Sequence, residues 1–168
     1  KIKHIGIIFS GGPAPAANAV ISATVMNLVN MGVEVYGFLQ GFEFLQEYEE
    51  GKVLILDEHY KILALSDVSG IRNVKPIIIK TSRANPGKGI SSISDLTNPE
   101  KNRRLLNAYK WMDYFEIDGL ITIGGDDTLK TANYLYLMQY HVPNIKPMHI
   151  VHIPKTIDND LVLNDHTP

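Results

Sequence analysis

The 168-residue sequence predicts an α/β domain with a mainly parallel sheet and helices on both faces. Short apolar runs, of the kind that parallel sheets bury on both faces, recur along the chain. Segments in which apolar residues return every three or four positions lie between several of these runs and predict helices. Glycine pairs or dense polar loops follow three of the runs, at the strand ends where open parallel sheets bind ligands.

The first part of the chain predicts a βαβ unit. Residues 5–9 form the first strand, and the Ser-Gly-Gly-Pro turn after them leads into a helix over 15–31. A proline is tolerated in the first turn of that helix, and Gly32 stands where a C-terminal cap belongs. Residues 33–38 then form the second strand.

The middle of the chain predicts several short elements. Between residues 41 and 73 we expect a short helix near 43–49, a strand at 53–56 and a helical turn around 60–65. The run Pro-Ile-Ile-Ile-Lys at 76–80 predicts a further buried strand. A polar loop follows over 81–94.

The second half of the chain again alternates helices and strands. Asn98-Pro99-Glu100 opens a helix whose buried face we expect to carry Leu105, Ala108, Met112 and Phe115. Residues 119–123 predict a strand, and residues 147–153 predict the last one. The helix between them covers 127–140, and its pattern places four side chains inward: Leu129, Ala132, Tyr136 and Tyr140.

Composition excludes several classes of function. Sixteen Lys and Arg against 18 Asp and Glu give a net charge of −2, so the chain has no general attraction for nucleic acid. The sequence has no cysteine, which excludes disulfides, thiolate metal sites and cysteine nucleophiles. No apolar run approaches the ~20 residues of a membrane span. We therefore expect a cytoplasmic protein whose partners include neither nucleic acid nor a membrane.

The loop after the first strand, Ser10-Gly11-Gly12-Pro13, combines a glycine pair with a helix start. Glycines allow the backbone to approach a phosphate closely, and the helix start offers unpaired N–H groups. The loop has neither the spacing of a GxGxxG dinucleotide site nor the Gly-Lys-Ser/Thr of a P-loop. It is a candidate phosphate-binding turn, with a plain strand–helix turn as the alternative.

Later loops carry charged side chains. Gly124-Gly125-Asp126-Asp127 joins a second glycine pair to two carboxylates, which either complement a helix start or bind Mg²⁺ beside a phosphate. Residues 154–160, Pro-Lys-Thr-Ile-Asp-Asn-Asp, hold more polar groups than a simple connection needs. Arg83, which follows the run at 76–80, is suited to clamp a phosphate, although solvent exposure is the default for an arginine.

Together these loops resemble the 6-phosphofructokinase family in order and spacing, over nearly all 168 residues. The Thr-Ile-Asp-Asn-Asp run after Gly-Gly-Asp is highly specific, whereas Gly-Gly-Asp alone is shared with lipid kinases and NAD kinases. The resemblance implies a Rossmann-like fold, an incomplete three-layer domain of the phosphofructokinase type. It also implies a glycolytic phosphotransferase with Mg²⁺ as its cofactor.

The resemblance assigns roles to individual residues. Asp158 is the base that takes the proton from the sugar 1-hydroxyl, a role for which an aspartate ionised at pH 7 is suited. Thr156 and Asp160 belong to the region of the reacting hydroxyl and phosphate, and Lys155 and Thr156 join Asp158 as catalytic groups. Asp126 is assigned to Mg²⁺. Pyrophosphate binding is assigned to Gly11, Gly12, Arg83, Gly125, Asp127 and Lys155.

Two positions predict the phosphoryl donor. Family members that use ATP carry Gly-Gly-Asp-Gly and Pro-Gly-Thr-Ile-Asp, whereas this chain has Asp127 and Lys155 at the two glycine positions, like the pyrophosphate-dependent branch. A carboxylate where the α-phosphate would lie repels ATP, and the lysine adds positive charge for a more compact anion. We therefore expect phosphoryl transfer from Mg-pyrophosphate to the 1-hydroxyl of fructose 6-phosphate, giving fructose 1,6-bisphosphate.

Two alternatives stay open. One is a different kinase, either an ATP-dependent 6-phosphofructokinase or another enzyme of the Gly-Gly-Asp type. The other is a non-catalytic regulatory subunit of the same fold. The intact Asp158 argues against the second alternative, because a regulatory subunit has no need of a base.

The sequence also departs from the family pattern. Its first loop has Pro-Ala-Pro-Ala at 13–16 where the family shows Asp/Ala-Pro-Gly, and the family's Met-Gly-Arg segment and later sugar-phosphate residues are absent. We therefore expect residues 1–168 to be the N-terminal, donor-binding domain fragment of a longer chain, whose sugar-phosphate half lies beyond them. The resemblance implies a homo-oligomer, a dimer or larger, for the full-length protein.

Overall fold

The computed structural model describes residues 1–155. Their strands form one five-stranded sheet in the order β3-β2-β1-β4-β5. The strands are β1 (His4–Phe9), β2 (Glu34–Phe38), β3 (Tyr60–Ile62), β4 (Gly119–Gly124) and β5 (His149–Pro154). Neighbouring strands are parallel except β2 and β3, which are antiparallel. The predicted α/β class with a mainly parallel sheet is confirmed.

Three long helices and two short ones connect the strands of the described residues, together with a 3₁₀ turn at Ile71–Asn73. The helices are α1 (Ala17–Asn30), α2 (Leu65–Val68), α3 (Ile93–Leu96), α4 (Pro99–Tyr114) and α5 (Asp126–His141). The predicted cap of α4 is present, since the Asn98 side chain accepts hydrogen bonds from the N–H groups of Glu100 and Lys101. No helix among residues 1–155 is long and apolar enough to cross a membrane.

The helices lie on both faces of the sheet, which gives three layers. Ile7 and Phe9 of β1 pack with α1 on one face, and Ile8 packs with α4 and α5 on the other. All three side chains are fully buried, which explains why this strand is continuously apolar rather than alternating. The buried face of α4 is as predicted, with Leu105, Ala108, Met112 and Phe115 in the core.

The elements predicted between residues 41 and 73 are wrong. Residues 41–46 form turns instead of a helix, and the strand expected at 53–56 is reduced to a bridge between Leu56 and Tyr60. His59 makes a tight turn, because its N–H donates to the Ile55 carbonyl and its Nδ1 accepts from the Ile55 N–H, each at 2.8 Å. After this turn the chain runs antiparallel to β2 and pairs with it as β3, where a helical turn was expected.

The strand predicted at 76–80 is also wrong. The apolar character of this run reflects burial without strand pairing, since Ile79 is fully buried and Ile77 and Ile78 pack against the α1 face of the core. The edge of the sheet beside β2 is already occupied by β3. The run therefore packs over the core as a connection, and part of its backbone is hydrogen-bonded to side chains.

The inward face predicted for α5 is wrong except at Ala132. Leu129, Tyr136 and Tyr140 are exposed, and the buried residues of the helix are Thr128, Thr131, Ala132, Leu135 and Met138. Thr131 is tolerated in the buried stripe because its hydroxyl donates a hydrogen bond of 3.0 Å to Oδ1 of Asn85. Because two of the five buried residues are threonines, an apolar pattern does not distinguish this face from the face that carries Leu129, Tyr136 and Tyr140.

Candidate phosphate-binding site

A cavity of about 450 Å³ opens at the carboxyl ends of β1, β4 and β5. It brings together every predicted donor-site residue that lies within the described part of the chain: Gly11, Gly12, Arg83, Gly125, Asp126, Asp127 and Lys155. Thr156, Asp158 and Asp160 lie outside the described residues. Their predicted roles stay predictions.

The first glycine turn is bound to the loop that carries Arg83. Gly11 has a φ of 92°, which favours glycine, and its N–H donates to the Ser82 carbonyl at 2.8 Å. The Thr81 hydroxyl in turn donates to the Gly11 carbonyl at 2.6 Å. Because both backbone groups of Gly11 are tied to residues 81 and 82, the next residue, Arg83, lies beside the turn at the cavity.

The second glycine turn packs directly on the first. A Cβ on Gly124 would lie 2.7 Å from the Ser10 carbonyl oxygen and 2.4 Å from Oγ1 of Thr128, so only glycine fits between them. The backbone N–H of Ser10 also donates to the carbonyl of Ile123, at 2.9 Å. The predicted meeting of the two turns at one sheet edge is therefore present, and contact between their backbones maintains it.

The carboxylates of the second turn begin α5 but do not cap it. The N-cap residue is Gly125, which makes no side-chain cap, and the first helical hydrogen bond runs from the Leu129 N–H to the Gly125 carbonyl. Asp126 and Asp127 follow in the first turn of the helix, where negative charge is favourable. A side-chain cap from either carboxylate is therefore excluded, but both predicted explanations, complementing the helix start and binding Mg²⁺, stay open. The two side chains are exposed at the cavity.

Lys155 joins both turns from the end of β5. Its N–H donates to the Gly124 carbonyl at 2.8 Å, and its ammonium Nζ donates to the Gly12 carbonyl at 2.9 Å. The residue is only 7% exposed, and burial lowers the pKa of its ammonium group. No carboxylate among residues 1–155 lies within ion-pair distance of it. A desolvated cation without a counter-ion in this region is suited to an anionic ligand.

Asp126 has the features of a Mg²⁺ ligand but already has a cationic neighbour. Its Oδ2 lies 2.5 Å from Nζ of Lys130, one turn along α5, and this contact raises the pKa of Lys130. Within the described residues no cluster of three His, Asp or Glu could hold a metal by itself. Mg²⁺ fits such a site, because it needs one or two carboxylates and takes its other oxygens from water and phosphate.

Sequence reasoning missed several residues of the cavity wall. They are Phe42, Ala84, Asn85 and Thr131; of the other wall residues, Ser10 begins the first glycine turn and Thr128 directly follows the second. Asn85 accepts from Thr131 at 3.0 Å and joins the Arg83 loop to α5, across 46 positions. No local pattern signals such a contact. Lys130, in contrast, stands four positions after Asp126, and oppositely charged side chains at this spacing contact each other on a helix. The sequence therefore contains the information that predicts this ion pair.

Comparison with known proteins agrees with this geometry. The model of the phosphofructokinase family matches residues 4–168. The chain belongs to the phosphofructokinase family. Its fold is also that of a solved member, the phosphofructokinase of Pichia pastoris in the T-state, with a TM-score of 0.74 and 27% identity over 99% of this chain and 16% of that one.

Curated relatives include users of both donors. The pyrophosphate–fructose 6-phosphate 1-phosphotransferase of Thermotoga maritima is 37% identical over 99% of the chain, and the chain covers 34% of that protein. The ATP-dependent 6-phosphofructokinase of Thermotoga petrophila is 34% identical over 98% of the chain, with 42% of the relative covered. The chain thus spans 34% and 42% of the lengths of these two relatives.

Proposed function

We propose that this chain is the donor-binding part of a phosphotransferase that moves a phosphoryl group from Mg-pyrophosphate to the 1-hydroxyl of fructose 6-phosphate. The observation on which the proposal depends is that Lys155 and Asp127 line the same cavity, at the two glycine turns. In this proposal residues 1–168 belong to a longer polypeptide that supplies the sugar-phosphate pocket and forms a homo-oligomer.

Pyrophosphate is favoured as the donor by the charges around the cavity. Lys155 supplies a buried cation directly beside the first turn, and Arg83 supplies a second cation from the neighbouring loop. A nucleotide must extend further than pyrophosphate and would bring its α-phosphate towards Asp127. Like charges about 4 Å apart repel by roughly 1 kcal/mol in water and about 4 kcal/mol at an effective dielectric constant of 20.

The remaining chemistry needs a metal and a base. Mg²⁺, bound through Asp126 and the donor oxygens, would neutralise charge on the transferred group. Asp158 would accept the proton of the attacking hydroxyl, as the family resemblance implies. Gly11 and Gly12 would let the donor approach the backbone, and Arg83 would hold its oxygens by charge-assisted hydrogen bonds.

ATP is the second candidate donor, because an ATP-dependent 6-phosphofructokinase is nearly as similar to this chain as the pyrophosphate-dependent relative. The two donors are distinguished by a coupled assay of fructose 1,6-bisphosphate formation, run in parallel with pyrophosphate and with ATP on the full-length protein. Turnover with pyrophosphate at least tenfold more efficient than with ATP supports the proposal. Equal or better use of ATP would falsify it.

A further inference from the structure

Asn18 is a buried polar residue that is not part of the cavity wall. It stands in the first turn of α1 and is 2% exposed. Its side-chain amide donates to the carbonyls of Val74 and Pro76, at 2.7 and 2.8 Å, and its Oδ1 accepts from the N–H of Ile78 at 3.0 Å. One side chain therefore holds three alternate residues of a single segment.

That segment leads to Arg83. Among residues 1–155, no backbone group forms a hydrogen bond with the carbonyls of Val74 and Pro76 or with the N–H of Ile78. The amide of Asn18 therefore supplies the hydrogen bonds that a neighbouring strand would otherwise make. Further along, the Gln40 N–H donates to the Ile79 carbonyl at 3.0 Å, and Gly11 holds Ser82. The side chain of Arg83 is exposed at the cavity, and no carboxylate within the described residues pairs with it.

We propose that Asn18 is a positioning residue for Arg83. By fixing residues 74–78 against α1, it sets where the following loop presents the guanidinium to an anionic donor. The proposal rests on the proposed function, because it takes the cavity to be the donor-phosphate site. Asn18 acts only through the backbone of residues 74–78.

Ser22 provides a matched control on the same helix. It is also 2% exposed, and its hydroxyl donates to the Val68 carbonyl at 2.9 Å. Ser22→Ala therefore removes a buried contact between a side chain and the backbone about one turn from Asn18, without touching residues 74–78. A general loss of packing around α1 would appear in both variants.

The first measurement is calorimetric titration of Mg-pyrophosphate into the full-length wild-type protein and into its variants Asn18→Ala, Ser22→Ala, Arg83→Ala and Asn18→Ala/Arg83→Ala. We expect Asn18→Ala to weaken binding about tenfold, the scale of one charge-assisted contact, and Ser22→Ala to leave binding unchanged. The double variant should bind no more weakly than Arg83→Ala, because Asn18 acts through Arg83. Wild-type affinity in Asn18→Ala, or losses that multiply in the double variant, would overturn the proposal.

The second measurement is hydrogen exchange of the peptides that cover residues 74–83, made without ligand. We expect faster exchange there in Asn18→Ala and wild-type exchange in Ser22→Ala. If the wild type binds no pyrophosphate, the proposed function fails, and exchange alone then decides the role of Asn18. Exchange at the wild-type rate in Asn18→Ala would overturn the positioning role whatever the ligand.

Discussion

The two glycine turns of the cavity, residues 10–12 and 124–127, are built in opposite ways. The first carries no charge, and its backbone groups are bound by other segments, with Gly11 tied to residues 81 and 82 and the Gly12 carbonyl bound by Lys155. The second begins a helix without a side-chain cap and presents two carboxylates. Both turns are close enough for backbone contact at Gly124.

Under the proposed function this difference gives the two turns different roles. The first turn offers an uncharged surface, and the cations around it, Lys155 and Arg83, come from distant parts of the chain. The second turn adds negative charge, which would attract a metal ion and would oppose an anion longer than pyrophosphate. In that proposal, changes to the cations near the first turn alter mainly how tightly pyrophosphate binds. Changes in the second turn alter whether ATP is accepted and how much Mg²⁺ is required.

The largest effect is expected from Asp127→Gly in the full-length protein. Removing the carboxylate relieves repulsion of about 1–4 kcal/mol, so the ratio of kcat/KM for ATP to that for pyrophosphate should rise about fivefold to a thousandfold. Steady-state kinetics with each donor measures this ratio. Asp126→Asn is the control, because it removes the neighbouring charge and should raise the Mg²⁺ requirement for both donors. A ratio that Asp127→Gly leaves unmoved would show that the carboxylate does not face the donor.

Contact between the turns is tested by Gly124→Ala. The added Cβ meets the Ser10 carbonyl at 2.7 Å, and because that atom belongs to the backbone, the two turns must move apart. We expect a loss of about 1–3 kcal/mol in the free energy of unfolding, measured by urea denaturation. Gly125→Ala is the matched control, since its nearest neighbour would be the Lys155 carbonyl at 3.3 Å. Equal stabilities for the two variants would mean that the turns do not depend on this contact.

The first turn is tested by Lys155→Met, which keeps most of the length of the side chain and removes its charge. We expect pyrophosphate binding to weaken about tenfold, since one desolvated charge contact is lost, while ATP binding changes less. Stability should change little, because the buried ammonium was itself costly to desolvate. Calorimetry and thermal denaturation give the two quantities. Unchanged pyrophosphate affinity would mean that Lys155 only donates a hydrogen bond to the Gly12 carbonyl and does not bind the donor.

Much of the fold and of the site could be predicted because their signals are local. The apolar run at 5–9 and the pair Gly124-Gly125 each identify a strand or turn within a few residues, and parallel strands bring such turns to one edge. Contacts between distant segments could not be predicted in this way. The Lys155–Gly12 hydrogen bond joins residues 143 positions apart. The run at 76–80 is apolar because it is buried, although it pairs with none of the strands in residues 1–155.

The smallest effect is expected from Lys130→Met, which affects the metal side of the second turn. Nζ of Lys130 lies 2.5 Å from Oδ2 of Asp126, so a Mg²⁺ ion bound by Asp126 would compete with an ammonium group for that oxygen. Both side chains are more than half exposed, with 57% and 53% of their surfaces accessible, so the pair is well screened by solvent. Removal of the ammonium group should lower the Mg²⁺ concentration for half-maximal pyrophosphate binding only about twofold.

Lys61→Met is the control, because it removes a surface ion pair with Asp57, and neither residue lines the cavity. An equal change of the half-maximal Mg²⁺ concentration in both variants would mean that net charge causes the effect. A change confined to Lys130→Met would support Asp126 as a ligand of the metal.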